Sequence, residues 1–158
     1  MTTFNKTVAA ISTPPGKGGV SVIRVSGEDA ITVAERVFRP KGNKKVRSLP
    51  ARYTAYGDIL LDGKVIDDGM LTLYYAPASY TGENTAEICC HGGVLVTRKV
   101  LEACLCAGAS MAEAGDFTRR AYINGKLSLS EAEAIGDLLE AKSTAQLSLA
   151  RGSAEGRL

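Results

Sequence analysis

The sequence has no apolar run near the roughly 18 residues that a membrane-crossing helix needs, so no helical membrane segment is expected. It has little net charge. Nineteen Lys and Arg stand against seventeen Asp and Glu, giving +2 at pH 7, too weak a bias to point to nucleic acid by itself. It opens Met-Thr-Thr-Phe-Asn-Lys-Thr-Val, without the apolar core or cleavage site of a secretory leader, so the expected compartment is the cytosol. Cysteine is sparse at four residues. Cys89 and Cys90 are adjacent and would point to opposite faces of a strand, a poor disulfide framework, so reduced and mostly buried thiols are expected. A zinc site combining cysteines with His91 lacks the usual paired spacing, and no metal ligands are assigned.

Nucleotide loops are missing too. In Pro14-Pro15-Gly16-Lys17-Gly18-Gly19 the upstream glycine of a Walker A loop is absent, and Gly18 stands where Ser or Thr should follow the lysine. Ser21 breaks the dinucleotide pattern. What remains is a tight glycine-rich connection whose backbone can approach a flat ligand closely.

What is present is 158 residues, 45% apolar and 23% charged, which fits one globular domain with at most the start of a second. Short strands are expected over Thr7 to Ser12 and Val20 to Val25, with Val20, Val22 and Arg24 on one face of the second. Gly27-Glu28-Asp29 opens a helix carrying Ile31, Val33, Ala34, Val37 and Phe38 at helical spacing. Tyr53 to Leu61 and Gly69 to Tyr75 read as strands, with the hairpin signal Asp62-Gly63 between them. Thr85 to Cys90 is another strand. Gly92-Gly93 releases a helix over Val94 to Cys106 with Leu95, Val100, Leu101 and Leu105 on its buried side, and Asp116 to Ile123 is a short helix. This order predicts an α+β fold, a mixed sheet covered mainly on one face. From Leu129 an Ala/Leu-rich helix is expected to run to about Arg151, with Ile135, Leu138, Leu139, Lys142 and Ala145 along one side. Its start carries two overlapping capping-box forms, Ser128 to Glu131 and Ser130 to Glu133.

Charge is uneven. Arg36, Arg39, Lys41, Lys44, Lys45, Arg47 and Arg52 form a basic stretch without an acid, read as a solvated loop, with contact to RNA or another anion as the alternative. Three constellations remain. Arg24 follows the glycine-rich connection and is either an edge guard or an anion ligand. Glu87 lies in an apolar strand, where a carboxylate must be exposed, paired or functional, and alternation puts it on one face with Cys89 and His91. The only histidine, His91, suits acid–base work, but a hydrogen-bonded structural role is the commoner reading. Asn124-Gly125 can end a helix and leaves Lys126 at a junction, its ammonium able to reach a pocket or a partner.

Together the strings TPPGKGGVSVIRVSG, PASYTGENTAEICCHGG and GDFTRRAYINGKLSLSEAEAIGDLLEA resemble, in order and spacing, the N-terminal part of the bacterial tRNA-modification GTPases of the MnmE (TrmE) family. The resemblance covers nearly the whole chain. Asn84 and Ser128 stand where the family usually has Asp, Tyr122 where Phe is common and Ala114 where Pro is common.

The resemblance implies a folate-binding and dimerisation domain over residues 1–122, similar to the tetrahydrofolate-binding domain of aminomethyltransferases. The first part of a helical domain would follow over 123–158. It implies a formyl-tetrahydrofolate as one-carbon donor, with contacts falling on Arg24, Glu87 and Lys126. It further implies a homodimer, an FAD-dependent partner of the MnmG type, and addition of a carboxymethylaminomethyl-type group to carbon 5 of the wobble uridine of certain tRNAs. In the family, GTP, magnesium and potassium belong to a GTPase domain whose motifs are absent here, so this chain reads as truncated before that domain and no GTP hydrolysis is expected of it alone. The rival readings are a stand-alone folate-dependent one-carbon transferase and a pure dimerisation module. The last helix, lacking helical-domain partners, is expected to fray, swap onto a second copy or pack in another way.

Overall fold

A computed structural model describes residues 6–13 and 19–138. Among these residues seven strands form one sheet: β1 (Val8–Ile11), β2 (Val20–Ser26), β3 (Phe38–Pro40), β4 (Thr54–Leu61), β5 (Lys64–Tyr74), β6 (Thr85–His91) and β7 (Ser110–Met111). Helices α1 (Ala30–Val37), α2 (Val94–Cys106) and α3 (Asp116–Ile123) interrupt them. A fourth helix, α4, begins at 129 and is described to 138; the positions expected to extend it to Arg151 lie outside the described residues.

The spatial order is β3-β4-β5-β6-β2-β1-β7. Every pairing is antiparallel except that of β1 with β7, so the sheet is mixed. The class expected from the sequence, α+β, is the one observed. Strict alternation divides the central strands into two faces. Ile23 and Val25 of β2, Ala86, Ile88 and Cys90 of β6, and Leu71 and Leu73 of β5 are buried together with the apolar sides of α1 and α2. Paired residues share a face, so the registers Arg24↔Glu87 and Thr72↔Glu87 set a polar row on the opposite, open face.

The β4–β5 turn is the two-residue hairpin that Asp62-Gly63 announces. Both residues have positive φ, 51° and 77°, which suits the right-handed twist of the strands they join. Several expectations need correction. Phe38 does not extend α1 but starts β3, where its ring is still buried. The basic stretch is more than a solvated loop. It contains β3 and a 3-10 turn over Val46–Ser48, it buries Val46 and Leu49, and it pairs Lys41 with Asp58 (3.3 Å) and Arg47 with Glu35 (2.7 Å). Strand β5 begins at Lys64, five residues before the expected Gly69. Leu95 is 69% exposed, because α2 presents Thr97, Val100, Leu101 and Cys104 to the core instead.

Candidate functional site

On the open face, β2 and β6 place Arg24 directly opposite Glu87. The guanidinium Nε and Nη2 each lie 3.0 Å from Glu87 Oε2. The Arg24 guanidinium carbon is also 5.1 Å from the ring centre of Tyr80 and 5.3 Å from that of Phe117, so a cation is held beside one carboxylate and against two aromatic rings. Tyr74, on the neighbouring strand, has its phenol pushed up by burial and then by the Glu87 carboxylate.

Tyr80 and Phe117 come from elements that roof this end of the sheet, the segment between β5 and β6 and helix α3. Polar bonds fasten the roof. Arg120 of α3, 1% exposed, donates to Asp116 Oδ1 (2.9 Å) and to both oxygens of Glu83 (3.0 and 3.2 Å). Ser26 of β2 donates to Glu83 (2.7 Å) and shares a hydrogen bond with Thr81 (2.7 Å), tying the roof to the sheet. Tyr80 and Thr118 hydroxyls meet at 3.0 Å. Helix α3 ends as Asn124-Gly125 suggests. Gly125 is left-handed at φ 76°, and the amides of Gly125 and Lys126 bond back to Tyr122 and Ala121.

Between roof and sheet lies an open cleft of about 340 Å³. Arg24, Tyr80, Phe117 and Thr118 line one side, and Ala10, Ile11, Ala112 and Ile135 supply apolar wall. The structure thus brings Arg24 and Glu87 together, but only Arg24 reaches the cleft. Lys126 is elsewhere: its ammonium donates to the carbonyl of Pro77 (3.1 Å) and so latches the roof segment. Sequence reasoning passed over Tyr80, Phe117, Glu83 and Arg120. The available signal was an aromatic and an ion in each of two segments, the β5–β6 connection and α3, with the two ions of opposite charge.

His91 does not meet Glu87. Its ring Nδ1 lies 2.8 Å from Asp67 Oδ1 and its backbone N–H donates to Asp67 Oδ2 (2.9 Å), the hydrogen-bonded role weighed from the sequence. The Asp67 interaction raises the imidazole pKa above its ordinary 6.5. The cysteines are free thiols. Burial pushes Cys90 up to about 11 and Cys104 to about 12, so neither offers a thiolate at neutral pH.

Fold and cleft define an α+β domain that encloses a cation–aromatic cleft between its open sheet face and a polar-fastened roof. Residues 7–126 match the family described as "GTP-binding protein TrmE N-terminus", and the chain belongs to that family. It is 49% identical over 152 residues to the tRNA modification GTPase MnmE of Geobacter sulfurreducens, a match covering 96% of this chain and 33% of the relative. It is 48% identical over 156 residues to that of Chloroflexus aurantiacus, covering 98% and 34%. With the protein of Carboxydothermus hydrogenoformans the identity is 46% over 154 residues, covering 96% and 33%. The chain therefore spans about a third of the length of these relatives. Among the described residues no helix is long and apolar enough to cross a membrane.

Proposed function

We propose that this domain binds a formyl-tetrahydrofolate in the Arg24 cleft and pairs with a second copy, serving a cytosolic tRNA-modification GTPase. In that reading the complete protein, with an FAD-dependent MnmG-type partner, adds a carboxymethylaminomethyl-type group to carbon 5 of the wobble uridine. Family membership and the similarity to tRNA modification GTPases support the tRNA-modification context. The proposed likeness to the folate domain of aminomethyltransferases belongs to this same reading.

The observation that carries the folate proposal is the cleft's make-up. Its volume lies in the range of small-molecule sites, its walls are largely apolar, and Arg24 supplies a cation flanked by two rings. A folate is a flat bicycle with an anionic tail, and the residues present fit it. The bound folate would supply the one-carbon unit. Arg24 would hold an anionic or electron-rich part of it. Glu87, behind Arg24 and bonded to it, aims the guanidinium; direct acceptance of the pterin's amino-pyrimidine edge would require Arg24 to turn aside. Lys126 would act on the tail only after releasing Pro77.

Calorimetric titration with 5-formyl-tetrahydrofolate tests this. Saturable binding is expected, weakened by about 1–3 kcal/mol in Arg24→Ala and in Glu87→Ala, the scale of a lost charged hydrogen bond. No saturable binding, or dissociation constants unchanged in both variants, would overturn the assignment of this cleft.

A further inference from the structure

At the far end of β6 from the roof, roughly 13 Å along the strand from Glu87 at about 3.3 Å per residue, a second group of side chains converges. Asp67 and Asp68 are sequence neighbours and would point to opposite faces of a regular strand. The β4–β5 ladder is irregular here. Ile59 pairs with Asp67 and Leu60 with Val65, which leaves Ile66 as the extra residue of a bulge. Both carboxylates turn toward His91. Its Nδ1 is 2.8 Å from Asp67 Oδ1 and 3.9 Å from Asp68 Oδ1.

The remaining oxygens are already engaged. Asp67 Oδ2 accepts the His91 backbone N–H, and Asp68 Oδ2 accepts the Tyr56 hydroxyl. The atoms left facing one another are therefore two carboxylate oxygens and one imidazole nitrogen, and the three residues' ligand atoms lie within 4.8 Å of one another. Holding a ligand's second atom with a protein donor is how metal sites orient their ligands. An ion pair would need only one carboxylate. A second one aimed at the same ring nitrogen adds like-charge repulsion that a divalent cation removes. Asp58, opposite Asp68 across the ladder, adds further negative charge, which Lys41 partly offsets at 3.3 Å.

We infer that Asp67, Asp68 and His91 form a binding site for a zinc-type divalent transition-metal ion, held by one oxygen of each carboxylate and by Nδ1, with water completing its shell. The donor set selects the metal class: imidazole with carboxylate suits zinc and its neighbours, whereas magnesium prefers oxygen and keeps its waters. Metal–ligand bonds of about 2.0–2.2 Å at tetrahedral angles put ligand atoms about 3.3–3.6 Å apart, between the two Nδ1–oxygen distances observed. Binding an ion would lengthen the first of these distances and shorten the second. His91 is exposed, and a shallow cleft lined by Tyr56, Met70 and Cys89 adjoins it, so solvent ions have access. A bound ion would staple β5 to the end of β6.

The test is calorimetric titration of the 158-residue chain, stripped of metal with a chelator, using zinc chloride alone. One saturable equivalent per chain is expected. Asp68→Asn should weaken it at least tenfold, although the His91–Asp67 hydrogen bond that a purely structural role requires stays intact. His91→Gln should weaken it at least as much, and Cys89→Ser and Cys106→Ser should leave it unchanged. Cobalt substitution should give the visible spectrum of a nitrogen–oxygen site without sulfur-to-metal charge transfer. Absence of saturable binding, binding indifferent to Asp68→Asn, or binding lost in a cysteine variant would each overturn the inference.

Discussion

Arg120 carries its charge where water does not reach, and it does so because Asp116 and Glu83 answer it from two sides. Burial alone would pull its pKa down, but the bonds to Asp116 and Glu83 outweigh that and raise it. Truncating it to alanine leaves Asp116, itself 1% exposed, without its cation. The expected loss is about 3–5 kcal/mol in urea unfolding, and a loss under about 1 kcal/mol would mean that water penetrates the network. His91 and Asp67 give a second residue-scale prediction. In metal-free buffer the His91 pKa, read by NMR on the only histidine, should lie above 6.5 and fall back in Asp67→Asn. Burial pushes the Asp67 carboxyl up, but hydrogen bonds from the His91 backbone and ring bring it net below 3.8. The pair's contribution to stability is thus fully present between about pH 4 and 6.5. It declines as pH rises through the raised His91 value, and again as pH falls through the lowered Asp67 value. The shared face of Arg24 and Glu87 is legible in the sequence because ions in apolar strands stand out and alternation assigns their side. The approach of Tyr80 and Phe117 to Arg24 is not, since it depends on a loop and a helix folding back over the sheet.

Elements with strong local signals were read correctly, and those stabilised from a distance were not. Helix α2 occupies the span its sequence predicts, and Val100, Leu101 and Leu105 face the core as expected; Leu95 alone does not. Leu95 sits about 160° around the helix from Thr97, so hydrophobicity put a leucine in the core where geometry puts a threonine. The first half of β5, Lys64 to Asp68, was hidden by its charges, and β3 and β7 by their brevity. Of the two capping-box frames the first is used. The Ser128 amide donates to Glu131 Oε1 (2.9 Å) and the Glu131 amide to Ser128 Oγ (3.1 Å). Those bonds lower the Glu131 carboxyl's pKa. Ser128→Ala should reduce amide protection in the first turn of α4 under hydrogen exchange, with the sheet unaffected. On β5, a Cβ added at Gly69 would stand 2.1 Å from the Cys89 carbonyl oxygen. Gly69→Ala should therefore cost about 1–3 kcal/mol in thermal or urea unfolding by prising β5 from β6; a neutral variant would show that the strands separate freely there.

For the molecule as a whole, the fold class followed from the order of elements, while the cleft, enclosed by parts distant in sequence, did not. Among the described residues the outer side of α4 is exposed. Leu129 is 54% and Leu138 71% exposed, although Ile135 reaches the cleft wall. If copies pair as proposed, sedimentation equilibrium should show a concentration-dependent dimer, and hydrogen-exchange protection over residues 129–138 should rise with concentration. A monomer at all concentrations with that segment fully protected would count against pairing through it.

The sheet's two ends bear on how the protein behaves in crowded solution. Its outermost strands are β3, three residues long and ending in Pro40, and β7, two residues long. Among the described residues each outermost strand is too short to offer a long run of unpaired amides, and the proline removes one donor outright. Among the described residues both borders of the sheet are thus finished by short strands, so fibre growth by edge-to-edge addition is disfavoured in the native state.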